Sequence, residues 1–299
     1  MPFCMLKKPV KFLIFTVITI IFIMGFISFI EKQYIFHPDK DIYSTPEDLG
    51  LKYDDIMFTT EDGLKLNGWF VPGKMVSQTR ESMDSQNKES MDSQNKQSMY
   101  TLLWFHGNAG NISHRIENIE MLYDRLPVNI FIFDYRQYGR SEGKISEKGT
   151  YIDARAALKY LHSRKDVDPK KIIFFGRSLG SSVAVDLAIK EKCRALILES
   201  PFSSIKEMSK SLYPFLPVSY FVRTKYDTLS KIRDAKVPVL IIHGDKDDLV
   251  PIEQGRKLYE TANGPKEFYS IPEANHNDTY IAGGEKYFDV IRRFVSNLE

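Results

Sequence analysis

Residues 171–190 read KIIFFGRSLGSSVAVDLAIK. An apolar run of strand length enters Gly176, Ser178 follows two residues later, Gly180 closes the turn, and a run rich in small residues continues with helical character. Strand, sharp turn and helix, with a serine at the tip, is what a nucleophile elbow requires. The two glycines remove side chains where the turn crowds the helix and the neighbouring strand. Ser181, Ser182 and Ala184 are small enough to let that helix lie close on a sheet.

The pattern G-x-S-x-G occurs a second time, as GRSEG at 139–143. There the preceding apolar run ends near Tyr135, and the following EGKISEKGT does not start a helix. Glu142 would also put a carboxylate where negative charge develops during attack on a carbonyl. GRSEG therefore reads as a surface turn and Ser141 as a bystander. Since G-x-S-x-G arises often by chance, Ser178 has to be judged by its partners.

Outward from the elbow the chain alternates. Strand-length apolar runs lie at 100–106, 128–135, 171–176, 194–200, 238–244 and 266–272, and amphipathic helical spacing at 112–126, 147–163, 179–191, 252–263 and 284–298. Continuous apolar strands separated by helices predict an α/β fold, with a mostly parallel central sheet covered by helices on both faces. Two earlier runs, Asp55–Thr60 and Leu64–Val71, flank the turn Glu61-Asp62-Gly63 and predict an N-terminal antiparallel pair. In open α/β sheets chemistry gathers at the carboxyl ends of the strands.

Those ends carry the partners, in the chain order nucleophile, acid, histidine. His276, in EANHNDTY, follows the last strand and is the candidate general base. His106 and His243 end strands beside glycines and read as loop-shaping residues, whereas His37, His114 and His162 fall in the linker or on helices. The acid comes from HGDKDDLVP at 243–251, where Asp245, Asp247 and Asp248 compete and position favours Asp247. The same loop is not a calcium loop: Leu249 occupies a ligand position, and the turn glycine and closing glutamate are missing. The oxyanion would be held by the backbone N–H of Leu179 and by one from HGNAGN at 106–111, with Asn108 the first candidate and Ala109 the second. HGNAGN lacks the Lys-Ser/Thr of a phosphate cradle.

The rest of the chain sets bounds. A net charge of +2 gives no reason to expect a nucleic-acid partner. Two cysteines, Cys4 and Cys193, lie far apart in sequence, and no Cys/His spacing suits a metal, so neither a disulfide nor a cofactor is expected. Phe12–Ile30 carries no charge and as a helix would span about 28 Å, close to a bilayer core. Lys7, Lys8 and Lys11 precede it, which predicts a single-pass anchor with a cytosolic tail and the main domain on the far side. No small-x-small cleavage site follows. The expected organisation is an anchor at 1–32, a linker at 33–54 and one catalytic domain at 55–299. Within that domain ESMDSQNK occurs twice in tandem, at 81–88 and 89–96, in a polar stretch read as a mobile loop over 77–99.

Taken together, HGNAGN, FDYRQYGRSEG, GRSLGSSVA, ESPFSS, HGDKDDLVP and NHND resemble the α/β-hydrolases, and among them the membrane-anchored single-span serine hydrolases with a serine aminopeptidase-like domain. The resemblance spans most of the residues from Tyr100 to the C-terminus. It implies the α/β-hydrolase fold and acyl transfer to water through a serine ester. Its HG-x-x-D-x-x-V-P pattern selects Asp247 and its H-N-D selects His276. Its D-Y-R-G-Y-G-x-S loop accounts for the second G-x-S-x-G. This chain departs from the pattern at Gln137, where Gly is usual, and at Ala274-Asn275, which replace a more glycine-rich approach to the histidine. The insert 202–232 has an aromatic middle, LYPFLPVSYFV, and is read as a short lid over an apolar acyl pocket. The expected substrate is a small acyl ester or acylated molecule, with amide cleavage as the alternative.

Overall fold

The computed structural model describes residues 10, 12–19, 31, 33–74, 99–215, 217–220 and 222–298. The tandem repeat at 81–96 lies outside the described residues, as does much of the apolar run Phe12–Ile30. Among the described residues no helix is long and apolar enough to cross a membrane.

Eight strands form one sheet. They are β1 (Asp54–Thr59), β2 (Lys65–Val71), β3 (Tyr100–Phe105), β4 (Val128–Phe133), β5 (Ile172–Arg177), β6 (Ala195–Glu199), β7 (Val239–Gly244) and β8 (Lys266–Ile271). Their spatial order is β1-β2-β4-β3-β5-β6-β7-β8. β1 pairs antiparallel with β2 and β2 antiparallel with β4, while every later pairing is parallel. The helices between and after these strands, among the described residues, are α1 (Ile116–Arg125), α2 (Glu147–Ser163), α3 (Leu179–Ala188), α4 (Ile205–Leu212), α5 (Thr228–Ile232), α6 (Ile252–Thr261), α7 (Thr279–Ala282) and α8 (Gly284–Ser296).

Strand periodicity explains the two-sided core. Successive side chains on a strand point to opposite faces, so a strand that is apolar throughout serves both. Leu103, Phe105 and Phe174 join one apolar layer under α2, α3 and α6. Leu102, Trp104 and Phe175 join the other, under α1 and α8. The mostly parallel sheet with helices on both faces, and the antiparallel N-terminal strands, stand as the sequence predicts. Two boundaries differ locally. The segment 112–126 begins as a 3-10 turn, Ile112–Arg115, because the Asn111 side chain accepts the N–H of Ser113 and tightens the entry. The stretch read as a linker lies against the domain: Phe36 is buried, and His37–Pro38 pair in parallel with Ala109–Gly110. That contact ties residues before the domain to the loop after β3.

Candidate active site

Ser178 sits between β5 and α3 at φ 52 and ψ −118, a backbone conformation that costs a non-glycine residue about 1–3 kcal/mol. Packing enforces it. A Cβ at Gly176 would lie 2.6 Å from the carbonyl oxygen of Gly180, and one at Gly180 would lie 2.0 Å from the carbonyl oxygen of Phe105. Only glycines allow the turn to sink this far into the sheet. Ser178 is 8% exposed, at the carboxyl end of the parallel strands.

The loops after β7 and β8 bring the two predicted partners to it. His276 Nε2 is 3.1 Å from Ser178 Oγ, and His276 Nδ1 is 2.8 Å from Asp247 Oδ2. With a carboxylate facing Nδ1, that nitrogen carries the proton, and Nε2 is left to accept from the serine hydroxyl. The other oxygen of Asp247 accepts the backbone N–H groups of Leu249 and Val250 at 3.1 and 2.7 Å. Burial pushes the Asp247 carboxyl up, but hydrogen bonds from His243 and His276 outweigh it and hold the group well below the usual carboxylate range. The competing acids are elsewhere. Asp245 accepts the N–H of Glu273, and Asp248 is exposed.

Leu179 is the first residue of α3, so its N–H has no acceptor a turn earlier within the helix. The loop after β3 lies beside the serine, since a Cβ built on Gly107 would be 3.7 Å from Ser178 Cβ. In Asn108 the carbonyl accepts from Tyr138 Oη at 2.6 Å and from the N–H of His37 at 3.0 Å, and its side-chain amide donates to the carbonyl of Ile35. The bonds to the Asn108 carbonyl fix the peptide plane that carries the Ala109 N–H, whereas the Asn108 N–H lies in the plane of the Gly107 carbonyl, which faces His106 Nδ1 at 2.7 Å.

Ser141 is not part of this arrangement. It is buried rather than lying in a surface turn: its hydroxyl donates to the carbonyl of Asp134 at 2.7 Å and accepts the N–H of Asn67 at 2.9 Å. Only its neighbours Arg140, Glu142 and Gly143 are exposed. The turn closes inward because β2 runs antiparallel beside β4 and needs a partner for its amide. Gln137, the first departure from the family pattern, keeps the left-handed backbone at φ 76, and its side chain accepts the N–H of Ile145. At the second departure Glu273 takes the left-handed residue at φ 59, and Asn275 Oδ1 accepts the N–H of His276.

These motifs stand in one stretch of chain. The profile of the prolyl oligopeptidase family matches residues 138–295, which contain Ser178, Asp247 and His276. The chain belongs to that family. It is similar to the alpha/beta hydrolase domain-containing protein WAV2 of Arabidopsis thaliana, at 36% identity over 269 residues covering 84% of this chain and 81% of WAV2. It is also similar to protein bem46 of Schizosaccharomyces pombe, at 33% identity over 91% of this chain and 88% of bem46. In three dimensions it matches the Pyrococcus furiosus esterase Pf2001 with a TM-score of 0.67 and 22% identity, over 87% of this chain and 98% of the esterase. The family and the α/β-hydrolase fold together make the chain a hydrolase.

Two contributors to the site escaped the sequence. His243, read as loop-shaping, places Nε2 3.3 Å from Asp247 Oδ2 and 2.8 Å from the carbonyl of Val250. Arg177 and Glu199 form a buried pair beneath the histidine loop. All three residues lie in stretches that carry the resemblance, HGDKDDLVP, GRSLGSSVA and ESPFSS, but spacing gave them no role in the site. The clue available was a histidine inside an otherwise apolar strand and two charges at strand ends that face one site.

Proposed function

We propose that this chain is a serine hydrolase that cleaves carboxylic esters of acyl or lipid-like molecules through an acyl-enzyme. Ser178 attacks the carbonyl, His276 takes its proton and then delivers it to the leaving alcohol, and Asp247 holds the imidazole tautomer and stabilises the imidazolium. The N–H groups of Leu179 and Asn108 receive the oxyanion. Water then attacks the acyl-enzyme, with His276 again as base. The observation that carries this reading is the unbroken relay from Ser178 Oγ through His276 to Asp247, at 3.1 and 2.8 Å, on a serine held at φ 52.

The ester preference rests on the segment 212–222. Leu212, Tyr213, Phe215 and Tyr220 are exposed there, and Phe215 is 97% exposed. Beside it Glu31, at the end of the apolar run, accepts the N–H groups of Arg223 and Thr224. We therefore place this segment as a lid next to a membrane, with Phe12–Ile30 as the anchor and the domain on the extracytoplasmic side, as Lys7, Lys8 and Lys11 favour. Peptide cleavage is the second reading, because the family matched is a peptidase family.

A fluorophosphonate probe on the full chain in detergent tests the chemistry. Wild type is expected to label and Ser178→Ala not to; a folded wild type that stays unlabelled sinks the enzyme reading. Paired p-nitrophenyl ester and p-nitroanilide substrates with the same acyl group separate the two activities, and a faster anilide would favour the peptidase.

A further inference from the structure

Between Gly176 and Ser178 stands an arginine whose side chain is buried at the carboxyl ends of the strands instead of reaching into solvent. Arg177 is 5% exposed and Glu199 is 2% exposed. They are Cα partners on β5 and β6, and Arg177 Nε lies 3.3 Å from Glu199 Oε1. The same guanidinium donates from Nη2 to the backbone carbonyl of His276 at 2.9 Å and to Asn277 Oδ1 at 3.3 Å. Glu199 is further bound by Tyr287 Oη on α8 at 2.8 Å and by the hydroxyl of Thr279.

We propose that Arg177, fixed by Glu199, is the positioning residue that holds His276 in reach of Ser178. The inference rests on His276 acting as the base of Ser178. Other bonds tie the loop after β8 to the loop after β7, as from the N–H of Lys246 to the carbonyl of Ala274 and from the N–H of Asp248 to Asn275 Oδ1, whereas the Arg177 bonds act at His276 and Asn277 themselves. The loop after β8 bridges to the end of β5 by the Arg177 contacts, so the base is referenced to the peptide adjoining the nucleophile. Movement of the elbow and of the histidine are then coupled through one side chain. The guanidinium suits this task because it is a rigid fork, able to hold a carboxylate with one nitrogen and a carbonyl with another, whereas an ammonium is a point charge on a flexible stem. Glu199 supplies the neutralising charge without which a cation this deeply buried is strongly unfavourable. A buried ion pair adds little net stability over an apolar pair of the same volume, which leaves geometry as its contribution here.

The test compares wild type, Arg177→Lys, Arg177→Gly and the paired apolar variant Arg177→Met with Glu199→Leu, all as full chains in detergent. The readouts are kcat and KM on a soluble short-chain ester, the fluorophosphonate labelling rate, and the melting temperature. A displacement of the base by about 1 Å is expected to lower kcat and labelling by up to about a hundredfold with KM little changed. Guanidinium ion, at concentrations far below denaturing and against a sodium chloride control, is expected to restore part of the rate to Arg177→Gly alone. Arg177→Lys keeps the buried charge and carries the test if the apolar pair does not fold. Variants that fold and label as fast as wild type, with only the melting temperature lowered, overturn the proposal. A folded wild type that does not label overturns the parent reading as well, so the two failures are told apart.

Discussion

Nε2 of His243 lies 3.3 Å from Oδ2 of Asp247, the oxygen that also receives His276. Because the same Nε2 faces the carbonyl of Val250 at 2.8 Å, it must be the protonated nitrogen, shared between two acceptors. His243 thus acts as a donor that steadies the carboxylate from behind. His243→Leu is expected to lower kcat about tenfold, with KM unchanged, and to destabilise the fold by about 1.5–3 kcal/mol, the worth of a hydrogen bond to a charged group. Steady-state kinetics and a urea midpoint check it. A variant that loses stability but keeps kcat would make His243 a packing residue only.

Ser141 offers the complementary case, a serine in the right motif with a structural task. Its hydroxyl is the acceptor for the Asn67 amide, which is buried. Ser141→Ala leaves that N–H unpaired and is expected to cost about 1–3 kcal/mol. Fluorophosphonate labelling per folded molecule is expected to stay at the wild-type rate. Loss of labelling in a folded Ser141→Ala chain would mean that the turn at 139–143 contributes to the chemistry.

A buried acid beneath the loop after β3 gives the fold a pH dependence of known sign. Asp134 Oδ1 accepts the N–H of Ile112 at 2.9 Å and stands 3.6 Å from His106 Nε2. His106 Nδ1 faces the carbonyl of Gly107 at 2.7 Å, so it carries the ring proton and Nε2 is bare. Burial pushes Asp134 up to about 8, offset only in part by the Ile112 N–H and the cations of Arg115, Lys40 and Arg140. Burial likewise pushes His106 down to about 3. The folded chain therefore keeps the Asp134 proton that the unfolded chain releases near pH 4, and this group makes stability fall as pH rises from about 4 to 8 and level off above. Asp134→Asn keeps the acceptor for Ile112 and removes the titration. Its stability relative to wild type is expected to improve between pH 5 and 8, at up to about 1.4 kcal/mol per pH unit for one proton. Parallel denaturation curves at the two pH values measure it, and an unchanged difference would mean that Asp134 is ionised in the fold.

The elbow and the strand-helix alternation were legible because their causes are local. Gly176 and Gly180 flank a turn only a few residues long, and β3, β5 and β6 are buried at every position and apolar at nearly all, Thr101, Arg177 and Glu199 being the polar exceptions. The helical spacing over 147–163 was legible too, but α2 begins at Glu147, where Ser146 accepts the N–H of Gly149, so EGKISEKGT does start a helix, contrary to its reading beside GRSEG. The inward turn of Ser141 was not legible, nor was the pairing of Arg177 with Glu199. Each depends on which strands lie side by side, and the order β2-β4-β3-β5-β6 is not a local property. His243 was read as loop-shaping, which its bond to the Val250 carbonyl fits, but its contact with Asp247 was missed for the same reason: only the path of residues 247–250 shows it.

Under the proposed function, the segment 212–222 selects the ester that reaches Ser178. Phe215 is 97% exposed and Tyr220 83% exposed, and nothing among the described residues covers them. Large aromatic side chains left in water forgo about 1.5–3 kcal/mol each relative to burial, so a lipid interface would gain from taking them up. Glu31 sets the end of the apolar run against Arg223 and Thr224, so the proposed anchor would bring such an interface to the base of the segment. The variant Phe215→Ser with Tyr220→Ser is expected to hydrolyse a short, water-soluble ester within about twofold of wild type. On a long-chain acyl ester presented in vesicles it is expected to lose about tenfold or more, since about 1.4 kcal/mol of lost interfacial binding is already a factor of ten. Equal loss on both substrates would instead place these rings in the acyl pocket. No loss on either would leave the segment as a cover for the core, and the choice of substrate would have to be made elsewhere in the molecule.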